Sequence, residues 1–427
     1  MGGPEFVADD DQAVQVAKLN LEAGKMAIKM SDFFSAYSFL EYGISYLPKG
    51  HWDTNYDLSL ELFNKSASCA LMNAEHKNLK FLLDQIMHNA NCANDKFRAI
   101  MISITFKMWS GQIAEAIKMT TSTLNDLGEG IPNLITPSIV EENLKATKEK
   151  LARISDDTLL TYPIMIDPLK IEAMSLLGKL FASFSFAGHI TSLPFIASKM
   201  IQISLESGWS SLSPAAFAHW SNYLALVENK FEDGYRYAKL ALSLRRTSTS
   251  CIYDGAVIFC TTNTKIFVEP VQSTIEFYLE GHKAAMRSGA TRYATLCAMV
   301  YDMSSFWAGK NVKAVCCAMV ETMKQVKFYN NLLLLTIILP AFQVAVKMAG
   351  ETGIEQSDLI NASGESSKER NFAAKLPSHI LNTSFHGFYE AFIFRQLERA
   401  KQDAETFYEE QSESTINMSS PMFMREL

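Results

Sequence analysis

The side chains able to do chemistry are few and scattered along the chain. The eight histidines, His51, His76, His88, His189, His219, His282, His379 and His386, lack the paired spacing of a zinc site. His379 and His386 could share one helical face, yet no carboxylate or cysteine completes a ligand set beside them. The seven cysteines are Cys69, Cys92, Cys251, Cys260, Cys297, Cys316 and Cys317. They form no C-x-x-C, and most fall within apolar helical pattern, where a thiol serves as a small hydrophobe. Their odd count and irregular spacing fit reduced thiols and a cytoplasmic protein better than a disulfide framework. No phosphate-cradling loop with its lysine occurs, nor a dinucleotide fingerprint or the protein-kinase motifs. Acidic Asp9 to Asp11 reads as the first turn of a helix, where acids complement the dipole, and Asp156-Asp157 reads as part of a loop. The sequence therefore offers no catalytic, cofactor-binding or metal-binding residue, and the expectation is a non-enzyme.

One stretch first resembles a reactive loop: "YPIMIDP", Tyr162 to Pro168. Pro163 pushes Tyr162 out of helical conformation, and Asp167 stands as N-cap before Pro168 at the first position of a long helix. Ile164 to Ile166 can run extended, with their apolar side chains tucked against neighbours. Pro163, Met165, Asp167 and Pro168 thus read as a structural joint rather than an active loop.

The elements around it are helical. Of 427 residues, 48% are hydrophobic, ample for a large core. Net charge is −7, with 46 acids against 39 bases and no basic run longer than Arg245-Arg246, which excludes broad phosphate binding and hence nucleic acid. The apolar run Leu332 to Val346 contains Pro340 and falls short of the ~20 residues a spanning helix needs, so it reads as a buried core helix. No membrane span is expected.

Apolar residues Phe97, Ile100, Met101, Ile104 and Met108 mark one stripe of an amphipathic helix, and Gly111 ends it before a second helix with Ile113, Ala116 and Ile117 inward. "FKMWSGQIAEAIKMT" (Phe106 to Thr120) has a counterpart in "SFWAGKNVKAVCCAMV" (Ser305 to Val320). In each, an aromatic precedes a small residue and a glycine, Gly111 or Gly309, and an alanine, Ala116 or Ala314, follows five residues later. Ala36 after Phe33 and Gly234 after Phe231 mark weaker copies. Small residues there let paired helices approach closely. Trp109, Trp220 and Trp307 read as packing anchors at the hairpins. The fold expected is all-α, with tetratricopeptide-like hairpins stacked as a right-handed α-solenoid.

Ser138-x-x-Glu141 and Ser273-x-x-Glu276 have the form of capping boxes, and Ser213-Pro214 that of a cap before a first-turn proline. The segmentation expected is a leader or fragment start over 1–7, helical repeats over 8–130, a polar helix and joint over 131–168, and further repeats over 169–350. A flexible linker over 351–371, a last helical segment over 372–410 and a disordered tail over 411–427 follow. In the last segment Phe385, Phe388, Phe392 and Leu397 are read as facing inward on one helix.

In order along the chain, several pieces resemble the tetratricopeptide-like region that follows the AAA/STAND-type ATPase module of large multi-sensor serine/threonine kinases, hybrid histidine kinases and related predicted ATPases. "LNLEAGKMAIKMSDFFSAYSFLEYGISYLP" is similar to that family's first hairpin and "HWDTNYDLSLELFNKSASCALMNAE" to its second. "GQIAEAIKMTTSTLNDLGEGIP" resembles the hairpin ending in a leucine–glycine–acidic turn, and "YPIMIDP" the family's proline joint. "EPVQSTIEFYLEGHKAAMRSGATRYATLCAMVYDMSSFWAGKNV" resembles its later repeats, although Ser288-Gly289-Ala290 stands where the family often has Gly-Asp. The resemblance spans about residues 12 to 350, with a weaker tail. It implies a non-catalytic regulatory scaffold of protein-protein or interdomain contacts within a signalling protein whose kinase and ATPase modules lie elsewhere. A stand-alone adaptor built of the same repeats is the alternative, and an unrecognised all-α enzyme, marked by a deep pocket of converging acids or histidines, is the third reading.

Overall fold

The computed structural model describes residues 9–30, 32–73, 75–132, 134–247, 253–329, 334–350 and 377–413. The expected leader over 1–7, the linker over 351–371 and the tail beyond residue 413 lie outside them. In chain order the helices are α1 (Asp10–Lys29), α2 (Phe33–Ser45), α3 (His51–Thr54), α4 (Tyr56–Met72), α5 (His76–Asn89), α6 (Ala93–Trp109) and α7 (Ile113–Asp126). Then come α8 (Pro137–Ala152), α9 (Asp156–Leu160), α10 (Pro168–Ala187), α11 (Leu193–Ser207), α12 (Ser213–Leu226), α13 (Phe231–Thr247) and α14 (Asp254–Lys265). The last six are α15 (Ile275–Arg287), α16 (Thr291–Trp307), α17 (Val312–Phe328), α18 (Leu335–Ala349), α19 (Pro377–Ile393) and α20 (Leu397–Glu413). Among the described residues the β pairing is a single isolated parallel bridge, Ile164 with Trp209. The fold is all-α, built of helical hairpins stacked along the chain.

Two compact units divide it: residues 1–135 with 168–193, and 136–167 with 194–427. The stretch expected as a separate joint over 131–168 is therefore mostly part of the second unit. Within the first unit, α1 packs on α2, α2 on α4, α4 on α5 and α6, and α6 and α7 on α10. Within the second, α12, α13 and α14 pack mutually, and the order then runs α14, α15, α16, α17, α18, α19 and α20. Each helix thus meets its near neighbours in sequence, the quasi-one-dimensional arrangement of a repeat array.

A recurrent turn closes these hairpins. The Gln112 amide donates to the Lys107 carbonyl at 2.8 Å and that of Gly111 to Met108 at 3.3 Å, with Gly111 at φ +76°. Lys310 to Ser305 at 3.1 Å and Gly309 to Phe306 at 3.0 Å repeat the pattern. This is the six-to-one closure that satisfies the last carbonyls of a helix and needs a left-handed residue at its corner. The same closure joins Ala290 to Ala285, Glu129 to Leu124, His189 to Phe184 and, around left-handed Arg395, Gln396 to Ala391.

These contacts correct the role expected for the paired small residues. A β-carbon on Gly111 or Gly309 would meet open space, so both serve the turn and not close packing. Close approach falls instead at the fourth residue of the following helix: Ala36, Ala116 and Gly234 are buried there, as are Leu79, Ala294 and Ala400. Ala314 does not belong to this set, for it is exposed and gives its amide to the Asn311 side chain at 3.1 Å. The loop before α17 is one residue longer than that before α7, so buried Val315 occupies the position of Ala116.

Helix starts follow the expected chemistry with shifts. Asp9 caps α1 by accepting from the Gln12 amide at 2.7 Å. At α8 the cap is Thr136, with Pro137 at the first position, and Ser138 lies inside the helix. Ser273 closes a short 3₁₀ turn and its hydroxyl donates to Glu269, so it does not cap α15. Ser213 opens α12 itself, and its hydroxyl accepts from the Ser210 amide at 3.0 Å. Asp156 and Asp157 begin α9 behind the Ser155 cap rather than lying in a loop. Thr136→Ala should lower stability by about 0.5–2 kcal/mol, whereas Ser138→Ala should stay within about 0.5 kcal/mol. Urea unfolding midpoints of the two variants decide between the caps.

The last segment is a hairpin of α19 and α20, not one helix. Phe385 is buried, whereas Phe392 and Leu397 are exposed on either side of the turn. From Leu335 onward the expected apolar run lies in α18, whose Leu335, Ile338, Phe342 and Ala345 are fully buried in the second unit. No helix among the described residues is long and apolar enough to cross a membrane.

Candidate functional site: the proline segment and the buried polar groups

The segment before α10 is fixed by backbone and ring contacts within the second unit. The Trp209 amide donates to the Pro163 carbonyl at 2.7 Å, and that of Met165 to the Trp209 carbonyl at 2.8 Å. Trp209 also gives its indole N–H to the Leu159 carbonyl at 2.8 Å and lies against the rings of Tyr162 and Phe217. Gly208, at φ +98°, brings its α-carbon so close that a β-carbon would stand 2.5 Å from the Pro163 oxygen. Preceding α9 is held to α13 by a two-pronged ion pair of Arg236 with Asp156, at 2.7–2.9 Å.

Extended backbone alternates its side chains, and the consequence here departs from expectation. Met165 is 3% exposed, while Ile164 and Ile166 are 77% and 87% exposed. Only the methionine is tucked in; its two neighbours stand in solvent on a pinned segment. Asp167 and Pro168 follow, and α10 begins at Pro168 as expected. Gly111 with Ala116 and Gly309 with Ala314 belong to separate hairpins, α6–α7 and α16–α17. Trp220 is buried, as an anchor should be, but Trp109 is 59% exposed.

Buried titratable groups are present, and their partners define what they can do. Cys260 Sγ lies 3.3 Å from His219 Nδ1 in the interior of the second unit. Burial lowers His219 to about 3 and pushes the Cys260 thiol up to about 12. A nucleophilic cysteine needs the opposite arrangement, a thiolate beside an imidazolium. His386 is buried, its Nδ1–H donates to the Asn382 carbonyl at 2.7 Å, and burial lowers it to about 4. Tyr278 donates to the Asn263 side chain at 2.8 Å, joining α15 to α14. No group of three or more histidine, cysteine or acidic side chains placed to hold a metal occurs among the described residues.

Asp302 is a buried acid that sequence reading missed, since its partner is twenty residues away. It accepts from the Thr322 hydroxyl at 2.6 Å between α16 and α17. Burial raises its carboxyl to about 7 from an ordinary 3.8. The folded protein therefore holds this proton more tightly than the unfolded chain does. Stability should fall as pH rises from about 4 to about 7, by on the order of a few kcal/mol. Asp302→Asn keeps the Thr322 bond and should flatten that fall, which denaturant midpoints across this pH range would show.

No family model and no curated protein matches this sequence. Among solved structures it is similar to a circular tandem repeat protein with novel repeat topology and enhanced subunit contact surfaces. That match has 10% identity and a TM-score of 0.18, and it covers 98% of this chain and 99% of the other. A superposition at that score carries no argument about this chain, whose class rests on its own helices.

Proposed function

We propose that this chain is a non-catalytic helical-repeat scaffold that works through protein-protein or interdomain contacts in a signalling ATPase/kinase-type setting. The observation that carries the reading is the proline segment, where Ile164 and Ile166 are held in solvent by backbone bonds to Trp209. Large apolar side chains kept exposed on a fixed backbone suit a docking role, because little ordering entropy is lost when a partner covers them. The buried cysteine, histidines and acid are neutral or paired inside the helical core, which also suits a structural part. The signalling setting rests on the ordered sequence resemblance through residue 350.

The test is calorimetric titration of the chain with the P-loop ATPase module of a protein from the resembled group. Saturable binding is expected, weakened at least tenfold by Ile164→Asp with Ile166→Asp. Absence of binding by the unaltered, folded chain would overturn the signalling setting.

A further inference from the structure

The outer face of α1 carries a second kind of surface. Val16, Leu19, Ala23, Met26 and Met30 alternate three- and four-residue spacings, the pattern of a coiled-coil seam. Within its hairpin α1 packs by a different set, Ala17, Leu21, Gly24 and Ala27. Leu19 is 70% exposed, Met30 76%, and Met26 is exposed between them. Scattered exposed apolar residues carry no message, but a row at seam spacing along one helix does.

The charges beside the seam specify the occupant. Asp11, Lys18, Glu22 and Lys29 are all exposed. Asp11 and Lys29 stand equally far on either side of Asn20, and so do Lys18 and Glu22. A two-fold axis at the level of Asn20 would therefore set each acid of one copy against a base of the other. Antiparallel pairing also brings each acidic first turn, Asp10 and Asp11, beside the basic last turn of the partner helix, and it opposes the two dipoles favourably. Glu22 is bonded within the chain to Lys25 at 2.9 Å, and its second oxygen can still face a lysine. No ion pair engages Asp11, Lys18 or Lys29 among the described residues.

We propose that α1 is a self-recognition surface, pairing antiparallel with α1 of a second copy of this chain in an isologous dimer. Leu19 of each copy lies nearest the two-fold axis, and Met26 seats between Gln12 and Val16 of the other copy. The surface shares no residue with the segment of Ile164 and Ile166, so its failure leaves the preceding proposal untouched.

Sedimentation equilibrium of the full chain over a wide concentration range tests it. A monomer–dimer equilibrium is expected, weakened about 100-fold or more by Leu19→Glu with Met26→Glu, since charge enters the seam on both copies. Asp11→Lys alone and Lys29→Glu alone should each weaken self-association about tenfold, because both crossings of residues 11 and 29 become like-charged. Mixing these two variants should restore dimers, now mixed, since the lysine introduced in one then faces the glutamate introduced in the other. Circular dichroism of each variant checks that the helices persist. A chain that stays monomeric, a dimer indifferent to the Leu19/Met26 variant, or no recovery on mixing would each overturn the proposal.

Discussion

Replacing Gly208 with alanine should destabilise the second unit by about 2–4 kcal/mol. Two effects add at this one position. The backbone sits at φ +98°, which a residue with a β-carbon adopts at a cost of about 1–2 kcal/mol. The new methyl would also stand 2.5 Å from the Pro163 oxygen and 3.0 Å from the Met165 nitrogen. Both neighbours are backbone atoms engaged in the bonds to Trp209, so neither can yield without breaking the bridge. The expected result is a lower unfolding midpoint together with a change in Trp209 fluorescence. A variant that unfolds like the parent would mean that the proline segment is not pinned at Gly208.

Phe342→Ala should have a still larger effect, about 3–5 kcal/mol. Its ring is fully buried in the cluster that α18 forms with Met303, Phe306, Met319 and Met323. Truncation removes the ring's transfer energy and leaves a cavity walled by packed helices on several sides. Chemical denaturation of the full chain measures it. A change below about 1 kcal/mol would contradict the placement of this apolar run at the core of the second unit.

The part of this architecture legible in the sequence was the part encoded locally. Helical period, turn glycines such as Gly111 and Gly309, and the acidic start of α1 all act within a few residues of themselves. The first misreading was one of register. Counted from the turn glycine, the N-cap Asn311 of α17 comes one residue later than the N-cap Gln112 of α7, which moved Ala314 to the surface and Val315 into the core. Counting from the glycine could not show this; counting from Asn311, whose side chain caps Ala314, would have. The second concerned α6, where Ala99, Ile102 and Ile104 are buried rather than the single stripe through Phe97 and Met108. That helix is covered by α4 and α5 as well as by α7 and α10, and a helix packed on more than one side blurs its own periodicity.

The proline segment reads in the sequence as a joint, and that reading did not show its outward isoleucines. Extended backbone dictates alternation, yet which face is buried depends on Trp209, far along the chain. Asp302 and Thr322, or Cys260 and His219, likewise meet only through tertiary packing. No spacing in the sequence announces them, and each lone residue looks like an ordinary helical position.

On the proposed function the chain works through surface contacts rather than through its buried polar groups. The most direct measurement compares two sets of variants in one binding titration with the ATPase module. Cys260→Ser and Asp302→Asn, which remove buried groups able to do chemistry, should bind as the parent does. Ile164→Asp with Ile166→Asp should lose binding at least tenfold while keeping its helical spectrum. Binding that survives the isoleucine changes and falls with Cys260→Ser or Asp302→Asn would contradict the account.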